Sequence, residues 1–411
     1  MEFIKIGILV PILSAFVLSC QTEPMLENSI IEIDDNQFEE LTPYFEERTI
    51  VGIGEYTHGD GNLFELKTEL IKYLHKNLDY DVVLMESDFL AVSETQRALL
   101  GNKPIHEAAQ IGIAPAWAES NEYLTLLKYL KETASQGDTL HFHGFDPQLT
   151  GKKSLQVHLD FANNIKKEIT NIEYEHLTRS IKIIHALNSM GLSSDSLEFY
   201  QSSIGQLILK KLTVMESRTL QWLKNLEAGL KTLYFRKLAP PVTPNNIPEV
   251  FSHPLNIRAK AVRDSMMADN VNYYLKNYDK IILWAANNHL RFKSNPPDGQ
   301  MTWMGQILKQ SLNENYYCIL ALYNKGKWSY PDGSQKGIIP ESSANTLAHS
   351  LNEAIESDAA FLDLESFKFE GKMIVRNNSW TVTDSININE YMDAILFVKK
   401  VTGASSVGST Q

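Results

Sequence analysis

The chain has 411 residues, 43% of them hydrophobic and 21% charged, a composition that excludes a disordered protein. A formal net charge of −12 argues against a nucleic-acid partner, since phosphate backbones are bound by basic patches. The length allows one large domain with an insertion or two modest domains.

The N-terminus, MEFIKIGILVPILSAFVLSC, sets Lys5 ahead of an apolar run, residues 6–18, that stops at Ser19-Cys20. The run is short for a membrane span and fits the core of an export signal. Val17-Leu18-Ser19-Cys20 resembles a bacterial lipobox, and QTEPMLENS after it reads as a polar tether. Residues 1–20 are therefore expected as a lipoprotein signal peptide. The mature protein would be exported and would meet the membrane only through lipid on Cys20. Residues 21–45 would form the tether and a short N-terminal helix. The other cysteine, Cys318, lies in YYCILAL and reads as a buried strand thiol, so no disulfide framework is expected.

From residue 46 strands alternate with helices. RTIVGIG (48–54) predicts a strand, and 62–78 a helix with apolar residues at Leu63, Leu66, Leu70, Ile71 and Leu74. DVVLMES (81–87) is an apolar run of the kind that suits a parallel strand covered on both faces. Helices are expected near 89–100 and 121–134, and DTLHFHGFD (138–146) predicts the next strand. The stretch from about 152 to 240 has no comparable strand and reads as a helical insertion, with helices near 155–169, 173–190 and 216–238. A Pro-rich linker, 239–254, closes it. The alternation then resumes with a helix over 257–277, a strand in KIILWAANN (280–288), a helix over 304–312 and a strand in YYCILALY (316–323). AAFLDL (359–364) and DAILFVKK (393–400) predict further strands, and 401–411 a disordered tail. The fold class that follows is α/β: a mostly parallel, Rossmann-like sheet flanked by helices, with a helical insertion subdomain, over residues 46–400.

In such a sheet ligands bind beyond the carboxyl ends of the strands. Glu55 and His58 follow the first predicted strand, Glu86 and Asp88 the second, Asp146 the third, and Asn287, Asn288 and His289 the fourth. Carboxylates and histidines from distant segments would thus meet on one rim. A histidine there can take a proton from water, a carboxylate can hold its tautomer, and a cation can stabilise an oxyanion. Lys67 is a candidate for that cation, or a solvated helix residue. The plainer alternatives are a helix-entry histidine bonded to backbone and two structural hydrogen-bond acceptors. His141 and His143 share one strand face and read as a packed strand or a metal pair. Trp117 reads as a stacking wall or ordinary core, and Tyr56 and Asp60 as bystanders. The chain has no G-x-S-x-G elbow, no H-E-x-x-H zinc motif, no Walker loop and no G-x-G-x-x-G.

Taken together, the blocks GIGEYTHGDGNLFELKTELIKYLHKNLDYDVVLMESDF, HGFDPQ, RDSMMADNV, ILWAANNHL and MGQILKQSLNENYYCILALY resemble, in order, the motif blocks of the erythromycin esterase family. The resemblance runs from about residue 45 to 400. It implies a hydrolase that opens an ester or lactone with no covalent enzyme intermediate. His58 would be the general base that activates water, Glu55 and Glu86 its carboxylate partners, and His289 the second histidine. Two positions depart from the pattern. Lys67 stands where members carry an arginine, keeping the charge but losing the planar fork. Ala286 stands where macrolide esterases carry the first histidine of H-N-x-H. The implied partner is a small-molecule ester or lactone that need not be a macrolide, and no cofactor is implied. Two alternatives stay open: a Tiki-like hydrolase with a divalent metal on Glu55, His58, Glu86 and His289, or a non-catalytic ligand-binding lipoprotein.

Overall fold

The apolar runs pair into one sheet. The computed structural model describes residues 26, 29–186, 192–241, 250, 252–294, 301–365, 367, 373–376 and 383–408, so the expected signal peptide and Cys20 lie outside the described residues. The strands are β1 (Ile30–Glu32), β2 (Ile50–Ile53), β3 (Val82–Asp88), β4 (His141–Asp146), β5 (Ile281–Trp284), β6 (Tyr316–Ser329), β7 (Lys336–Ile339), β8 (Ala359–Asp363), β9 (Met373–Arg376), β10 (Thr383–Ile386) and β11 (Ala394–Val401). Nine of them form the main sheet in the order β1-β8-β11-β6-β2-β5-β3-β4, with β7 added against β6; β9 and β10 pair separately. The six strands from β11 to β4 run parallel. Only the margins are antiparallel, at β1, β7 and β8. The expected mostly parallel sheet is therefore present, with short edge strands added that carry no long apolar run.

Alternation along the strands explains the two-sided burial. Ile50, Val82, Leu84, Ile281 and Leu283 pack into the core on one face. Val51, Val83, Met85, Ile282 and Trp284 pack into the core on the other. Successive side chains point to opposite faces, so a continuous apolar run is what a doubly covered strand needs.

The first short helix is α1 (Thr42–Phe45), in the segment expected to hold one. One side of the sheet carries α2 (Gly61–Leu78), α3 (Ala91–Leu100), α4 (Ile105–Gly112), α5 (Pro115–Ala118) and α6 (Asn121–Ser135) between β2 and β4. Helix α2 stops where Asp79 turns left-handed, at φ 59°. The insertion supplies α7 (Ser154–Asn164), α8 (Asn171–His185), α9 (Ser194–Lys211) and α10 (Ser217–Leu238), and α11 (Pro254–Tyr274) returns the chain to the sheet. The expected strand over 280–288 is shorter than its apolar run suggested. It ends at Trp284, and residues 287–290 coil into α12 (Asn287–Leu290). Helices α13 (Met304–Leu312) and α14 (Leu347–Ala354) complete the set used below.

The wiring creates a switch point. From β2 the chain steps out to β3 and β4, then returns after the insertion to place β5 between β2 and β3. The carboxyl ends of β2, β5, β3 and β4 therefore lie side by side, and the polar residues that follow them meet.

The tail expectation is corrected. Residues 402–407 are bonded into the fold: Gly61 N–H donates to Thr402 O at 2.7 Å, Ala404 N–H to Gly59 O at 3.0 Å and Val407 N–H to Glu119 O at 3.0 Å. Small polar residues read as loose, but these bonds are made by the backbone and leave no mark in composition. Among the described residues, no helix is long and apolar enough to cross a membrane.

Candidate active site

Glu55 leaves β2 and turns its carboxylate into the protein, fully buried. Its Oε1 accepts from His58 Nδ1 at 2.9 Å and Trp117 Nε1 at 3.0 Å. Its Oε2 accepts from Lys67 Nζ at 3.0 Å and Trp284 Nε1 at 2.7 Å. Burial alone would raise this carboxyl, but Lys67 and His58 outweigh it and hold Glu55 below its ordinary value. Gly54 makes the turn feasible, since a Cβ there would lie 2.1 Å from Asn287 Oδ1. Asn287 in turn donates its backbone N–H to Glu55 O at 2.8 Å and clamps Ala321 of β6 with its amide.

The bond to Glu55 fixes His58 as the Nδ1–H tautomer, and Nε2 has no partner among the described residues. The His58 side chain is 29% exposed, while Glu55 is sealed. Its ring lies 4.4 Å from that of Trp117. Burial pulls the imidazole down, and Glu55 and Glu86 overcome this and raise it. Asp60, buried at the start of α2, shapes the loop: it accepts from Thr57 N–H at 2.8 Å, Thr57 Oγ1 at 2.5 Å and Tyr323 OH at 2.7 Å. Burial pushes Asp60 up to about 6. The residue expected as a bystander is thus the brace of the His58 loop. Tyr56 packs its ring against Tyr323, 5.5 Å away.

A second cluster faces the first. Glu86, at the end of β3, accepts from Arg263 Nη2 at 2.9 Å and from the backbone N–H of Ala286 at 2.8 Å, and lies 3.2 Å from His289 Nε2. Arg263 straddles Asp146, at 3.0 Å through Nε and 2.7 Å through Nη2, and its Nη1 lies 3.2 Å from His289 Nε2. His289 Nδ1 pairs with Asp264 at 2.8 Å, and that carboxylate is oriented by the Met304 N–H at 3.0 Å. Burial opposes charge on His289, but Asp264 and Glu86 prevail and lift it to about 10. Glu86 is buried too, yet His289, His58 and Arg263 hold it well below the carboxylate range. His58 feels the charge of Glu86 and of His289, so the two clusters lie within electrostatic reach of each other.

The structure thus brings together Glu55, His58, Glu86 and His289. Lys67 is corrected: it is neither solvated nor open to an oxyanion. It is fully buried behind Glu55, with Nζ 4.0 Å from the centre of the Trp284 ring. Trp117 is core and site at once, 3% exposed and bonded to Glu55. Asp88 faces away into the insertion, where His158 Nε2 donates to it at 2.9 Å. His143 is a packed strand residue: Ser93 and Tyr278 occupy its two nitrogens at 3.0 and 2.9 Å, and burial lowers it to about 3. Arg263 and Asp264, which open the RDSMMADNV block, are site residues that strand-end position alone does not reveal. An arginine followed by an aspartate on a helix bound for a strand-end rim was the available signal.

The carboxylates and His289 are already engaged by protein groups. Glu55 receives four N–H donors, both nitrogens of His289 face carboxylates, and Glu86 is taken by Arg263 and backbone. Among the described residues, no group of three or more His, Cys, Asp or Glu side chains is set to hold a metal ion.

The family profile described as erythromycin esterase matches residues 75–401. A putative hydrolase, YbfO, of Bacillus subtilis (strain 168) is 24% identical over 394 residues, covering 86% of this chain and 84% of that protein. Erythromycin esterase type I of Escherichia coli is 25% identical over 296 residues, 69% of this chain and 72% of that one. The solved structure of a mutant of the erythromycin esterase EreC in its open conformation superposes with a TM-score of 0.67. It covers 95% of this chain and 99% of its own at 18% identity, which establishes a shared fold.

Proposed function

The chain belongs to the erythromycin esterase family of hydrolases, and from that premise we propose that it opens an ester or lactone by direct attack of water, with no covalent enzyme intermediate. One observation carries the reading. His58 is pinned through Nδ1 by the buried Glu55 carboxylate, its Nε2 has no partner among the described residues, and it lies within reach of the charges on Glu86 and His289. In the proposed reaction the water oxygen attacks the carbonyl carbon while Nε2 takes its proton. Glu55 stabilises the imidazolium that forms. The oxyanion develops toward Arg263 and the protonated His289, which Asp146, Asp264 and Glu86 hold in place before the reaction begins. Collapse of the tetrahedral intermediate breaks the C–O bond, and the leaving alkoxide takes the proton from His58. Lys67 acts through Glu55, keeping it ionised, and does not touch substrate.

The natural substrate proposed is an ester or lactone other than a macrolide. Ala286, on the rim beside Glu86, offers only a methyl group where macrolide esterases carry a histidine, and its N–H is already given to Glu86. No metal is assigned a role, so turnover is expected to survive EDTA. Export and a lipid anchor on Cys20 are proposed from the lipobox-like sequence, and labelling of expressing cells with a palmitate analogue tests them in wild type against Cys20→Ser. The assay for the reaction is hydrolysis of p-nitrophenyl esters by His58→Ala and Glu86→Gln proteins with intact far-UV circular dichroism. Turnover equal to wild type in either variant would sink the assignment.

A further inference from the structure

Segments 402–407, 54–61 and 115–122 are far apart in sequence and meet at the site. The strap formed by residues 402–407 crosses the His58 loop first. Gly61 N–H donates to Thr402 O at 2.7 Å, Ala404 N–H to Gly59 O at 3.0 Å, and Gly403 bridges Asp60 as in an antiparallel pair. The approach is close: a Cβ on Gly61 would lie 2.6 Å from Gly403 O, and one on Gly403 would lie 2.2 Å from Ser329 Oγ. Asn62, on the first turn of α2, closes the contact, accepting from Thr402 N–H at 2.9 Å and donating to Lys400 O at 2.9 Å.

The strap then reaches the start of α6. Ser405 N–H donates to both oxygens of the buried Glu122, at 3.0 Å each, and Ser405 O accepts from Asn121 N–H at 3.0 Å. Val407 N–H donates to Glu119 O at 3.0 Å, and Ser406 bridges Ser120. These residues directly follow α5, which carries Trp117. The two elements that the strap joins are therefore the two that reach the same atom: His58 Nδ1 and Trp117 Nε1 both sit on Glu55 Oε1, at 2.9 and 3.0 Å.

We propose that residues 402–407 are a positioning strap that holds the His58 loop and the Trp117 helix in register on Glu55. This rests on the hydrolytic reading above for its effect on rate, but not for its effect on His58 itself. None of the strap residues touches the reacting atoms. Their work is to fix the geometry of those that do, where an error of about 1 Å costs roughly 10²-fold in rate.

The test compares the full chain with one ending at Val401, both checked for cooperative unfolding. Two readouts are followed: p-nitrophenyl ester hydrolysis, and the His58 imidazole titration by NMR with 13C-labelled histidine, assigned by His58→Ala. The expected result for the shortened chain is a fall in kcat of about tenfold or more with KM little changed. The His58 titration should move down toward the ordinary histidine value as the bond to Glu55 loosens. Glu122→Ala in the full chain should move both readouts the same way, and Glu122→Gln, which keeps one acceptor oxygen for Ser405, should restore most of the difference. If the shortened chain does not fold, the Glu122 pair and Gly403→Val carry the same two readouts. A folded shortened chain, or a folded Glu122→Ala protein, with kcat within twofold and the titration unmoved overturns the strap. If wild type hydrolyses no ester, the hydrolytic reading fails, and the titration still decides whether the strap holds.

Discussion

Replacing Glu55 by Gln keeps the size of the side chain and removes its charge. The carboxylate receives four N–H donors, two on each oxygen. A glutamine carbonyl can serve two of them, and its NH2 must confront the other two. Lys67 and Glu55 are both fully buried, so the variant leaves an ammonium with no counter-charge beside it. Removing one partner of a buried ion pair destabilises a protein by about 3–5 kcal/mol, and one orphaned buried donor adds about 1–3 kcal/mol. Against a typical stability of about 5–15 kcal/mol, the variant should sit near the edge of folding. Urea unfolding followed by circular dichroism measures the loss. The diagnostic is the double variant. Lys67→Met removes the stranded charge and leaves an apolar chain against Trp284, so Glu55→Gln with Lys67→Met should recover more than half of the lost stability while remaining inactive. A single Glu55→Gln loss under about 1 kcal/mol, or a double variant less stable than the single, would refute the assignment of Lys67 as the buried counter-ion of Glu55.

Two further outcomes follow from the second cluster. His289 is raised from about 6.5 in the unfolded chain to about 10 in the fold, so the stability it adds is complete below pH 6.5 and is lost as the pH climbs through about 10; urea midpoints should fall over that window in wild type and less steeply in His289→Gln. Arg263 meets Asp146 through two nitrogens and Glu86 through one, a fork that lysine cannot reproduce, so Arg263→Lys should lower kcat/KM by about 10²-fold or more with the fold retained, and a loss under about threefold would remove Arg263 from the oxyanion wall.

The parallel core was readable because its strands are written as apolar runs, Ile50–Ile53 and Ile281–Trp284 among them, and because polar residues cluster where those runs stop. Glu55, His58, Glu86 and His289 were found that way. Lys67 was misplaced although the sequence held the correction: it lies four residues after Leu63 and four before Ile71, on the apolar stripe of α2. A charge on that stripe needs a buried counter-ion, and Glu55 supplies it. Arg263 and Asp264 were hidden for another reason. Arg263 meets Asp146 across 117 residues of chain, through a helix whose two faces are nearly equal in polarity. The edge strands β1, β7, β9 and β10 span three or four residues each, too short to show a period. The strap 402–407 is held mainly through its backbone N–H and C=O groups, which leave no periodic signal in the sequence.

The central claim is that His58 takes the proton from the attacking water. The measurement that reaches it most directly is kcat/KM against pH for p-nitrophenyl ester hydrolysis, in wild type and in folded His58→Ala protein, with and without added imidazole. The account predicts a bell in wild type: a rise through the His58 titration, above the ordinary 6.5, and a fall as His289 loses its proton near 10. In His58→Ala the rising limb should vanish, the rate should drop by about 10²–10⁴-fold, and imidazole should restore part of it. A His58→Ala protein that keeps the wild-type rising limb, or a rate within threefold of wild type, would contradict the account.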